Sequence, residues 1–171
     1  MTVLCDWEIS GLSRLHAMVH PFREELVNPA SIDVLLGVNL LVEVDAGEFK
    51  PVDLSPFSKE KPFLLEPGVF CLAQTQETFN LPNDIAAKFA LKSSRAREGY
   101  NHMLAGWCDP GWHGSVLTLE LTNAKRFSCL PLYPGLKIGQ MVFLRMCASP
   151  LRDYSETGRY NRDIKVAASR G

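Results

Sequence analysis

Residues 61–82 read KPFLLEPGVFCLAQTQETFNLP. Two apolar stretches flank the dipeptide Pro67-Gly68. Proline pre-sets φ at the first central position of a type II turn, and glycine accepts the positive φ of the second. Residues 132–146, LYPGLKIGQMVFLRM, repeat the device with Pro134-Gly135. Working outward, VNPASIDVLLGVNLLVEV (27–44) has Pro29 as a breaker and apolar runs around Gly37. In SVLTLELTN (115–123), Leu117, Leu119 and Leu121 alternate with Thr118, Glu120 and Thr122, a period of two. Eleven prolines and twelve glycines punctuate these short runs. The pattern predicts a mainly β chain, a barrel or jelly roll, and argues against alternating βαβ units. Two segments read as helical. One is CDWEISGLSRL (5–15), where Asp6 is placed to cap and Leu4, Ile9 and Leu12 line one side. The other lies around residues 93–100.

The chain has 171 residues, enough for one domain with a real core. We expect a β domain over residues 1–150. After Pro150 the composition turns polar. Residues 145–171 hold six basic side chains against three acids. Composition alone makes 151–171 a mobile tail; the functional reading is a lid over an anionic ligand. The formal charge is -1, so neither a nucleic-acid surface nor a membrane surface is implied, and any anion site must be local. No apolar run reaches the roughly 18 residues of a membrane helix. MTVLCDWEIS lacks a basic start, so it is no signal peptide, and the expected location is the cytoplasm (the host's, for a viral source). Five cysteines, with no C-x-x-C, read as small buried hydrophobes. The four histidines form neither H-x-E nor H-E-x-x-H, so no zinc is expected.

Three stretches could carry chemistry. FALKSSRAREGY (89–100) sets two serines among basic residues. If Ser93 caps a short helix, free N–H groups, hydroxyls and Arg97 one turn later make an anion site; the plainer reading is a solvated helix. AGWCDPGWHG (105–114) fixes Asp109 at a turn after the small pair Ala105-Gly106. That is suited to close approach of a flat base and sugar. Glu120 faces away from the side on which Leu119 packs. It is either a solvent-facing glutamate or, if enclosed, a general base.

In order, NPASIDVLLG (28–37), LEPGVFCLAQTQETFNLP (65–82), KSSRAR (92–97) with Gly99, AGWCDPGWHG, TLELTN (118–123) and PGLKIGQMVF (134–143) resemble the dCTP deaminase family of the dUTPase-like superfamily. The tail GRYNRDIKVAASR resembles that family's closing lid. The resemblance implies a distorted β-barrel or jelly-roll subunit and a homotrimer with active sites built between subunits. It implies zinc-independent deamination of dCTP to dUTP. Glu120 would be the general base. Ser93 and Arg97 would steady the amino group and the water, and the Ala105 carbonyl would take the exocyclic amine. Asp109 would lie against the deoxyribose, with Gly106 and Trp107 beside the nucleotide. Lys92, Ser94, Gln140, Arg159, Tyr160 and Lys165 would hold phosphates, with Mg²⁺ carried by the triphosphate and dTTP as a candidate inhibitor.

The AG-x-x-D loop is similar to that of members that also hydrolyse dUTP to dUMP and pyrophosphate. Gly106 would admit a water to the α-phosphorus and Asp109 would orient it. The alternatives are a plain dUTPase and a non-catalytic regulatory trimer. Lys92 stands where the family has arginine, which turns a bidentate contact into a point charge. The segment from Gly114 to Glu120 is one residue longer than the family's. A β-bulge must absorb that residue to keep Glu120 on its face. Asp163 replaces a glutamine, and Lys165 or Arg162 is expected to offset its charge.

Overall fold

The computed structural model describes residues 2–171. Strand β1 (Thr2–Val3) leads into helix α1 (Asp6–His16), β2 (Val19–His20), a 3-10 turn (Glu24–Leu26), β3 (Val27–Asn28) and β4 (Ser31–Leu35). Next come β5 (Asn39–Asp45), β6 (Glu48–Asp53), β7 (Phe63–Leu65), β8 (Phe70–Asn80) and β9 (Ile85–Leu91). Helix α2 (Ser93–Glu98) follows, then β10 (Tyr100–His102), β11 (Trp107–Cys108) and β12 (His113–Asn123). The chain closes with β13 (Leu130–Leu132), β14 (Lys137–Arg145) and helix α3 (Tyr154–Thr157).

One sheet runs β11-β9-β14-β4-β3, with β1 on β14. The second runs β10-β12-β8-β5-β6, with β2 on β8, and β13 and β7 make a small ribbon. The mainly β expectation holds, but the sheets are open rather than closed into a barrel. Their apolar faces share one core, to which Phe89 and Phe143 contribute from the first sheet and Phe79 and Leu119 from the second. The layers touch where Leu36 bridges Thr75. Gly37 is needed there, because a Cβ would sit 2.9 Å from Gln74 Cγ and 3.0 Å from the Thr75 carbonyl.

Both expected Pro-Gly turns form. Gly68 and Gly135 have φ of 74° and 82°. The Val69 N–H reaches the Glu66 carbonyl and the Leu136 N–H that of Tyr133, each at 3.2 Å. Neither closes a hairpin. Pro67-Gly68 carries the chain from the ribbon to the second sheet, and Pro134-Gly135 from the ribbon to the first.

The helix ends correct the sequence reading. Cys5, not Asp6, is the N-cap of α1. Its N–H donates to Glu8 Oε2 at 3.2 Å, while the Asp6 carboxylate takes the Trp7 N–H. Leu4 and Ile9 are buried and Leu12 packs on the core, as expected. Ser93 does not cap α2. Lys92 occupies that position with no side-chain cap, and Gly99, at φ 101°, ends the helix. Helix α3 was not foreseen; Asp153 caps it through the Ser155 N–H at 2.9 Å. Among the cysteines, Cys71 and Cys108 are buried, but Cys147 is exposed.

Candidate active site

Strand β12 presents Glu120. Leu117, Leu119 and Leu121 are buried, and Thr118, Glu120 and Thr122 between them stay partly open. A bulge does precede Glu120. His113 pairs with Asn80 and Ser115 with Phe79, so β12 spends two steps on one of β8, at Gly114 with φ 63°. This left-handed bulge keeps Glu120 opposite Leu72 and on the polar face.

A second irregularity follows. Val116 pairs with Thr78 and Thr118 with Gln74, so the ladder skips here. The backbone donors it frees find other partners. The Leu117 N–H goes to Thr75 Oγ1 at 2.9 Å, and the Val116 N–H goes to the Asp163 carbonyl at 2.9 Å. The tail docks on this gap. Trp112 Nε1 donates to the Tyr160 carbonyl, the His113 N–H to Asn161 Oδ1, and the Val166 N–H to Gln74 Oε1, each at 2.9 Å. The tail is therefore an ordered cover in this structure rather than a free end.

Beneath it lies a cleft of about 510 Å³. Ala105, Trp107, Asp109, Glu120 and Tyr160 line it, with Phe49, Phe70, Leu72 and Trp112 as apolar walls. Trp107 Nε1 donates to Asp109 Oδ1 at 2.9 Å and fixes that carboxylate. Asp109 is anchored a second way, because its carbonyl takes the Trp112 N–H of the Pro110-Gly111 turn. Burial pushes the Cys108 thiol in the wall up to about 12, so it stays protonated and inert. Gly106 has a packing reason of its own: a Cβ there would sit 2.8 Å from Phe89 Cβ.

The other expected residues lie elsewhere. Ser93, Ser94 and Arg97 are exposed on α2 and do not line the cleft. Lys92 and Gln140 belong to a cluster on the first sheet. There, Asp33 accepts from Lys92 Nζ at 2.5 Å and Asn28 Nδ2 at 2.9 Å, and pairs with Lys137 at 3.3 Å. Gln140, directly opposite Asp33 on β14, accepts from Ser31 Oγ at 2.9 Å. Burial pushes Asp33 up, but its bonds to Lys92, Asn28 and Lys137 outweigh this and hold the carboxyl below its usual range. On α2, Arg95 pairs with Glu98 at 2.8 Å and lies over the Tyr100 ring. Arg159 and Lys165 are exposed away from the cleft. Asp163 is offset by Arg170 at 2.7 Å, not by Lys165 or Arg162.

The comparisons meet this geometry. A family model described as dCTP deaminase-like matches residues 3–146, nearly the whole β region. The chain belongs to the dCTP deaminase-like family. A dUMP-forming dCTP deaminase of Leifsonia xyli subsp. xyli is 37% identical over 166 residues, spanning 89% of this chain and 81% of the relative. Among solved structures, a dCTP deaminase from Agrobacterium tumefaciens matches 82% of the chain with a TM-score of 0.68 at 22% identity; the chain spans about half of it, 47%. A dUTPase of phage phi11 of S. aureus, described as coordinating a structural Mg(II) ion, matches 78% of the chain and 87% of its own length. Its TM-score is 0.52 at 14% identity. At these identities the two structures speak for the fold. Among the described residues no three His, Cys, Asp or Glu side chains of this family member gather as a metal cage, and no helix is long and apolar enough to cross a membrane.

Proposed function

We propose that this protein deaminates dCTP to dUTP and then hydrolyses dUTP to dUMP and pyrophosphate in the same site. The observation that carries the reading is Glu120, held by its bulged strand in a cleft with the Ala105 backbone and the fixed Asp109. Its 37% identical relative is named for the same pair of steps. Glu120 takes a proton from water as the oxygen bonds to C4 of cytosine. It then returns the proton to N4, the C4–N4 bond breaks, and ammonia leaves. One carboxylate can serve both transfers because they occur in sequence on one face of the ring. In the second step Asp109 orients a water toward the α-phosphorus, and pyrophosphate leaves.

Mg²⁺ enters as part of the substrate, on triphosphate oxygens. Ser93, Ser94, Arg97, Lys92 and Gln140 lie outside the cleft of their own chain. We infer that they serve a neighbouring copy in a homotrimer, with Ser93 and Arg97 at the amino group and the others at phosphates. The lid of residues 151–171 adds Tyr160 to the cleft. dTTP, one methyl larger than dUTP, is expected to compete for the site, and the enzyme is expected in the cytoplasm.

The test is to incubate the protein with dCTP and Mg²⁺ and to follow ammonia, dUTP and dUMP. Ammonia with dUMP is the expected result. Ammonia with dUTP alone would leave a deaminase only. Cleavage of dUTP without turnover of dCTP would sink the deaminase reading in favour of a plain dUTPase.

A further inference from the structure

Two buried polar atoms in the chain lack hydrogen-bond partners and face each other. Glu120 Oε2 and His102 Nε2 are both enclosed and unpartnered, and they stand 3.3 Å apart. Buried polar groups are nearly always bonded, so such a facing pair calls for an explanation. His102, on β10, is 5% exposed at its side chain, against 25% for Glu120. The imidazole sits on a built shelf. Its ring lies 4.7 Å from that of Phe89. Phe89 in turn fills space left by two glycines: a Cβ on Gly139 would fall 2.1 Å from its ring, and one on Gly106 would fall 2.8 Å from its Cβ. The backbones are tied too, since the Met103 N–H donates to the Glu120 carbonyl at 3.2 Å.

We propose that His102 is a positioning residue for Glu120. Its Nε2–H holds Oε2 from behind and turns the other carboxylate oxygen toward the cleft. The two atoms come into line when substrate or water takes up that second oxygen. This rests on the reading of Glu120 as the base. The other titratable groups lining the cleft are Cys108, Asp109, Tyr154, Tyr160 and Asp163. Among the described residues, the only ion-pair contact of Glu120 is with His102.

His102→Phe keeps a ring on Phe89 and removes the donor; His102→Gln restores a donor near the Nε2 position. The Phe variant should lower kcat for ammonia release about 10²-fold with KM for dCTP unchanged, as expected when a reacting group loses its aim. The Gln variant should recover most of the loss. Wild-type kcat in the Phe variant would overturn the proposal, as would an equal loss in both, which would mean packing alone. A second readout needs no turnover. In ¹⁵N NMR, Glu120→Gln should move the Nε2 resonance of His102, because the carboxylate that faces that nitrogen at 3.3 Å is replaced by a neutral amide. An unmoved resonance would contradict the contact. If the wild type released no ammonia, the functional reading would fall, and the NMR comparison would still decide the pair.

Discussion

The chain contains two polar centres of opposite character. Around Asp33, every group is answered: Lys92, Lys137 and Asn28 surround one carboxylate, and Ser31 holds Gln140. Around Glu120, carboxylate and imidazole face each other unbonded beside an open cleft. A satisfied cluster holds a shape; an unsatisfied one is ready for a ligand. The first centre sits on one sheet with the serines and arginine of α2 close by in sequence, and the second sits on the other sheet. One chain does not bring them together. In the proposed trimer they are the halves of one site.

The contrast can be broken most severely at the reactive half. Glu120→Gln should lower ammonia release about 10²–10⁴-fold, the usual reach of a general acid–base group, with the melting temperature unchanged. The satisfied half should respond in stability instead. Asp33→Ala leaves Lys92 and Lys137 facing each other without a counter-charge. It should cost about 3 kcal/mol in chemical denaturation, at the low end for a broken buried pair because Lys92 is partly exposed. Because the carboxyl of Asp33 is held below its usual range, its contribution is full above the ordinary carboxylate pKa. It is lost as pH falls through the lowered value.

Deleting residues 151–171 uncovers the cleft and frees the Val116 and His113 N–H groups. KM for dCTP should rise about tenfold, with a smaller change in kcat, in steady-state assays. The smallest effect falls between the two halves. Glu77 is buried, and burial pushes its pKa up despite the Leu35 N–H at 3.0 Å. An acid raised in the folded state gives full stability below its unfolded pKa and loses it as pH rises toward the folded value. Glu77→Gln keeps the acceptor and removes the charge. It should raise stability at pH 7 and leave it unchanged at pH 4, measured by thermal melts at both.

Local features were legible in the sequence. The two Pro-Gly turns and the face of Glu120 depend on neighbours a few residues away, and the odd residue before Glu120 called for the bulge that Gly114 provides. What the turns connect was not legible, because each links different sheets and pairing is a long-range choice. The order in the tail was hidden for a similar reason. Its partners are backbone donors released by a register skip, and composition says nothing about register. His102 carried no signal of its own. Its place depends on Phe89 and on Gly139, both far from it in sequence, as well as on the nearby Gly106. That Arg97 lies outside the cleft of its own chain was not legible in the local pattern around residues 93–100, which says nothing about the distance to Glu120.

The claim that these two centres are halves of one shared site has a direct test. Glu120→Gln and Arg97→Ala protomers, each inactive alone, are unfolded together, refolded as a mixture and assayed for ammonia release from dCTP. If each site draws its glutamate and its arginine from different copies, random mixing should restore about a quarter of the wild-type rate. A mixture as inactive as its two components would contradict the shared site.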